Sequence, residues 1–145
     1  MLKPEKISSS RRRARPTQRQ RFARLRQSER AALTEFVGRL REKLGDRVQQ
    51  VVLYGSRARN EANAEADVDV LVVLNAVDRL SDDQVVDAAF EVTMKYEDVL
   101  LSPVVWSFGR YEQNRADRLL FYRNLERDGI ELWSTPEKLP ISGTR

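Results

Sequence analysis

Apolar residues recur at helical spacing through Leu33, Phe36, Val37, Leu40 and Leu44, which predicts an amphipathic helix. Ser28 offers a start cap and Gly45 a stop. Val48 to Tyr54 is rich in β-branched residues and reads as a strand, broken by Gly55-Ser56. After a polar stretch, Asp67 to Leu74 reads as a second strand. Ser81-Asp82-Asp83-Gln84 matches a capping box and predicts a helix running to about Tyr96. Val99 to Trp106 reads as a third strand, with Pro103 pointing to an edge or a bulge. Residues 110–127 read as one last helix closed by Gly129, and Ile130 to Trp133 as a short strand. This order predicts an α/β (α+β) domain, a small mixed β-sheet flanked by helices.

The chain of 145 residues suits one folded domain. We place it at residues 28–133, between a basic arm, 1–27, and a C-terminal tail, 134–145. The net charge of +4 hides an asymmetry. Residues 1–30 hold 11 Lys/Arg and 2 Asp/Glu, a net of +9, so the remainder is acidic. The arm is poor in large apolar residues, so it is expected to lack fixed structure. Its arginines suit RNA, DNA or an acidic partner, although a solvated arm explains them too. The same composition also describes a mitochondrial transit peptide. The longest strongly apolar run, Val70 to Leu74, is far short of the roughly 20 residues that span a bilayer. The expected location is cytoplasmic, with no membrane partner.

The sequence has no cysteine and no histidine. That excludes disulfides, thiolate metal sites, histidine acid–base catalysis and Ser-His-Asp triads. Chemistry is left to carboxylates, hydroxyls, Lys, Arg and backbone, a donor set that favours hard cations.

One stretch concentrates such groups. Gly55 ends the first strand at a tight turn, where the missing Cβ lets a phosphate approach the backbone. Ser56 adds a hydroxyl and an N–H, and Arg57 and Arg59 add positive charge. Alone, this reads as an ordinary strand-to-helix turn with two surface arginines. Asp67 and Asp69 stand two apart on a strand and share a face. Their Cα atoms lie about 6.5 Å apart, near enough to share a metal. Two carboxylates about 5 Å apart repel by about 3 kcal/mol at an effective dielectric of 20, unless a cation lies between them. A lone Asp-x-Asp can also be a solvated acidic face. Together, the turn and the paired acids set phosphate donors beside a metal site, the layout of phosphoryl or nucleotidyl transfer. No Walker A spacing is present.

Gly55-Ser56, ten intervening residues and Asp67-x-Asp69 resemble the signature of the polymerase-β-like nucleotidyltransferase superfamily, most of all its minimal members. The likeness is strongest from Val51 to Leu74. It implies the nucleotidyltransferase fold, with Gly55, Ser56 and Arg57 on a nucleoside triphosphate. Asp67 and Asp69 would be the catalytic carboxylates and the ligands of Mg²⁺. The implied reaction moves AMP from ATP to a hydroxyl of a protein partner. In the family that partner is often a small helical HEPN-type toxin, and the transferase its antitoxin. Other members modify aminoglycosides. The family usually sets a third carboxylate on the next strand, where this sequence offers Ser102. Glu97 and Asp98 precede that strand, in what reads as a surface turn. The alternative function is a weak or inactive nucleotide-binding domain that neutralises a HEPN-type partner by binding alone.

Overall fold

A computed structural model describes residues 14–61 and 67–136. The expectations for residues 1–13 of the arm and 137–145 of the tail lie outside them. Among the described residues the helices are α1 (Gln18–Ala23), α2 (Gln27–Leu44), α3 (Arg79–Lys95), α4 (Phe108–Ala116) and α5 (Leu120–Asp128). The strands are β1 (Val48–Tyr54), β2 (Val68–Leu74), β3 (Leu101–Ser107) and β4 (Ile130–Ser134). They form one mixed sheet in the order β3-β2-β1-β4, with β2 parallel to β3 and antiparallel to β1. The expected fold class holds. Pro103 lies in β3, an edge strand, where its missing N–H costs least.

Both faces of the sheet are covered. Val51 and Leu53 of β1 and Val68, Val70 and Val72 of β2 pack with Leu33, Phe36 and Leu40 of α2 and Val85, Ala88 and Val92 of α3. On the other face Val52, Leu71, Val73 and Trp106 meet Tyr111 of α4 and Leu125 of α5. Double coverage explains the unbroken apolar run at the end of β2. No described helix is long and apolar enough to cross a membrane.

Three expectations are corrected. Residues 14–27 of the arm are not structureless, because α1 forms there with a capping box between Thr17 and Gln20. Its Phe22 packs on the core, and the Gln18 amide bonds the Gly129 carbonyl and the Glu131 N–H at the sheet edge. Helix α3 starts at Arg79, not after Ser81. Asp78 is the cap, its Oδ1 accepting from the Ser81 N–H at 2.8 Å, while the Ser81 hydroxyl accepts from the Asp78 N–H at 2.9 Å. The last helix is two helices. Arg118 takes a left-handed φ of 50° and breaks the chain between α4 and α5, a turn that no Gly or Pro marks. The stop at Gly45 holds, with φ 56°.

Helices α2 and α3 are joined at the surface through Glu35. It accepts from Arg39 at 2.7 Å, from Lys95 at 2.9 Å and from the Tyr96 hydroxyl at 3.0 Å. Hydrogen bonds from Lys95 and then Arg39 hold its carboxyl at about 2, against an ordinary 4.5. A depressed carboxylate stabilises the fold fully above its unfolded value and loses that effect as pH falls through its folded value. Thermal unfolding of Glu35→Gln is therefore expected to depend less on pH between 4.5 and 2 than that of the wild type. Parallel curves across that window would refute the assignment.

Candidate active site

The site forms where β1 ends and β2 begins. Antiparallel pairing sets Tyr54 opposite Asp69, which brings the turn after β1 against the start of β2. Gly55 has a φ of 80°, a region that side chains rarely adopt. A Cβ there would stand 2.5 Å from Oδ2 of Asp69. Glycine is thus required twice, for the backbone angle and for room. The chain then coils through a compact turn, with the Arg59 N–H donating to the Gly55 carbonyl at 3.2 Å and the Glu61 N–H to the Ser56 carbonyl at 3.1 Å.

Asp69 is half-buried and Asp67 exposed, just ahead of β2. Burial pushes the Asp69 carboxyl up, and the charge of Asp67 adds to the shift. Desolvation is the larger cause and the Asp67 charge the smaller, and a nearby cation would oppose both. Burial, and then the negative charge of Asp69, also raise the phenol of Tyr54. The Tyr54 ring meets Phe121 edge-on, with centroids 5.0 Å apart. Phe121 in turn lies 5.0 Å from Trp106, so these aromatics build the site's apolar floor.

The register between β2 and β3 pairs Asp69 with Ser102, and paired residues project to the same face. A hydroxyl therefore stands where a third carboxylate was sought. Glu97 and Asp98 lie in an exposed turn. Asp98 is taken by Arg26 at 2.9 Å and by the Ser28 hydroxyl at 2.7 Å, so Ser28 ties α2 to this turn instead of capping it. Among the described residues no three carboxylates gather into a metal cluster. The donors fit a divalent ion held by two acids and completed by phosphate oxygens and water, as Mg²⁺ commonly is.

Arg57, expected on a phosphate, points elsewhere. Its guanidinium meets Glu29 of α2 at 2.8 Å and donates to the Glu61 carbonyl at 3.0 Å. Glu29 is 1 % exposed. Burial pushes its carboxyl up, but bonds from Arg57 and the Arg26 backbone outweigh that and hold it low. Sequence reasoning missed Glu29. The available signal was an acid in an otherwise basic segment.

Residues 33–131 match the model of the nucleotidyltransferase domain. Two proteins of Methanocaldococcus jannaschii, provisionally named protein adenylyltransferases, are similar. One is 30 % identical over 106 residues, covering 73 % of this chain and 99 % of the relative. The other is 29 % identical over 101 residues, covering 69 % and 94 %. Among solved structures, one from the MntA–HpeT toxin–antitoxin pair shares the fold. It has a TM-score of 0.50 at 13 % identity, over 75 % of this chain and 78 % of that one.

The Gly55 geometry yields a direct test. Gly55→Ala should cost about 1–3 kcal/mol, as overpacking does, because the new methyl must displace the Asp69 carboxylate. Chemical denaturation measures it, and a neutral substitution would contradict the contact.

Proposed function

Because the chain belongs to the nucleotidyltransferase domain family, we propose that it is a Mg²⁺-dependent protein adenylyltransferase. In this reading it moves AMP from ATP to a hydroxyl of a small helical HEPN-type partner and so acts as its antitoxin. The observation that carries the reading is the Asp69 carboxylate held against the glycine turn. The names of the archaeal relatives support transfer to protein, and the HEPN-type partner rests on the resemblance of the Gly55-Ser56 and Asp67-x-Asp69 motif to the minimal nucleotidyltransferases.

The chemistry follows from the layout. The backbone at Gly55 and Ser56 binds the triphosphate. Asp67 and Asp69 would hold the Mg²⁺, which would supply charge to neutralise the phosphates and ease departure of pyrophosphate. The acceptor oxygen bonds to the α-phosphorus, the bond from that phosphorus to the bridging oxygen breaks, and pyrophosphate leaves. The hydroxyl proton passes to solvent or to a carboxylate. Ser102 beside Asp69 cannot accept it as a carboxylate would, which favours slow turnover. The same observation motivates a second reading, in which the domain neutralises its partner by docking alone.

Coexpression with a small HEPN protein of the same genome, followed by intact mass of the partner, separates the two. Under the first reading AMP appears on the partner, and Asp69→Asn lowers the rate by about 100-fold or more. Neutralisation that persists in an Asp67→Ala, Asp69→Ala double variant selects the second. A further variant, Ser102→Asp, should restore a proton acceptor and raise the rate by about 100-fold. An unchanged rate would show that Ser102 does not limit the reaction.

A further inference from the structure

Two residues upstream of the matched domain, which begins at residue 33, grip the turn that follows Gly55. Arg21 of α1 donates to the Ala58 carbonyl at 3.0 Å. The same guanidinium reaches the Gly129 carbonyl at 3.2 Å and the Asp128 carbonyl, at the junction of α5 and β4. From the other side Glu29 of α2 holds the Arg57 guanidinium at 2.8 Å. Consecutive residues of the turn, Arg57 and Ala58, are therefore fastened to two helices outside it.

The two fastenings differ in kind. Glu29 is fully buried, and its other oxygen accepts from the Arg26 N–H at 3.0 Å. Its Oε2 is shared by Arg57 at 2.8 Å and the Arg26 guanidinium at 3.2 Å, and stripping a cation from so buried an acid is costly, so Arg57 is held firmly. Arg21 sits on a six-residue helix with no buried residue. A helix so short is marginal by itself, and its tie to the core is the half-buried Phe22. Arg21 joins three carbonyls from two segments, a task its planar fork of donors suits. A turn that must present N–H groups to a triphosphate gains affinity when it is held in shape beforehand.

We propose that Arg21 and Glu29 are positioning residues for nucleotide binding, fixing Arg57 and Ala58 so that the turn after Gly55 meets the triphosphate already formed. The inference rests on the reading of Gly55-Ser56 as the phosphate site.

The test uses the full chain, with Mg²⁺ and the non-hydrolysable analogue AMP-PNP, in calorimetric titrations paired with thermal unfolding. Arg21→Met and Glu29→Gln are each expected to weaken AMP-PNP binding about tenfold, the usual scale for supporting residues. Arg21→Lys keeps a cation and donors and should recover part of the loss. Arg39→Met is the control. It breaks the bond to Glu35 within α2 and the bond across to Glu91 of α3, away from the turn, and should lower the melting temperature while leaving affinity unchanged. The proposal is overturned if Arg21→Met and Glu29→Gln bind within about twofold of the wild type, or if Arg39→Met loses as much affinity. Should Glu29→Gln fail to fold, Arg21→Met alone decides. A wild type with no affinity would instead remove the phosphate-site reading, a failure distinct from that of the two fastenings.

Discussion

The carboxylate of Asp69 rests against the one residue at the end of β1 that has no side chain, and the site depends on that contact. With any Cβ at position 55 the acid and the turn would exclude each other at 2.5 Å. The contact in turn requires the register that sets Tyr54 opposite Asp69. A slip of one residue would send Asp67 and Asp69 to the other face. The apolar residues that follow them guard against it. Leu71 and Val73 are committed to the core beneath α4 and α5, while Val68, Val70 and Val72 are committed to the core beneath α2 and α3. Burial of both faces thus aims the acids.

The electrostatics follow from the same placement. Asp69 begins where the helical cover thins, so it is half-buried. Half-burial raises its carboxyl, with Asp67 adding to the effect. An arrangement that disfavours its own charge is a poor structural device, which fits the proposed role of Asp69 beside a cation. Ser102 alongside limits what that site can do with a proton, since the register leaves no carboxylate next to Asp69 on β3.

Much of this was legible from the sequence because its causes are local. Val48 to Tyr54 announces β1 by β-branching, and the alternation of Asp67 and Asp69 against Val68 and Val70 fixes the face. Gly55 is readable as a turn because the backbone there needs a positive φ. What stayed hidden depends on distant partners. Arg21 meets Ala58 across 37 residues, and no periodicity reports that. Arg57 reads as a phosphate ligand because it follows a glycine turn, but a buried acid on another helix claims it. Arg118 breaks the last helix without Gly or Pro, so the pattern of apolar residues reads through the break.

The basic arm shows how a count of charges can mislead. Its net positive charge invites a polyanion, yet many of its cations serve the fold. Arg21 donates to the carbonyls of Ala58, Asp128 and Gly129, Arg26 to Glu29 and Asp98, and Arg30, just past the arm, to the carbonyls of Ala23 and Leu25. Arg15 donates to the Arg127 carbonyl. Arginine suits such work better than lysine, because one guanidinium can satisfy several acceptors in fixed directions. Even the cleft of about 350 Å³ between the arm and the turn, lined by Arg15, Arg24 and Arg59, also contains Glu61 and Asp128. There Arg59 pairs with Glu61 at 2.9 Å. Guanidinium groups already directed at carbonyls and carboxylates tie residues 14–30 to the domain, Arg21 reaching the turn after Gly55, and a salt-dependent grip on nucleic acid by those arginines would have to break these bonds first.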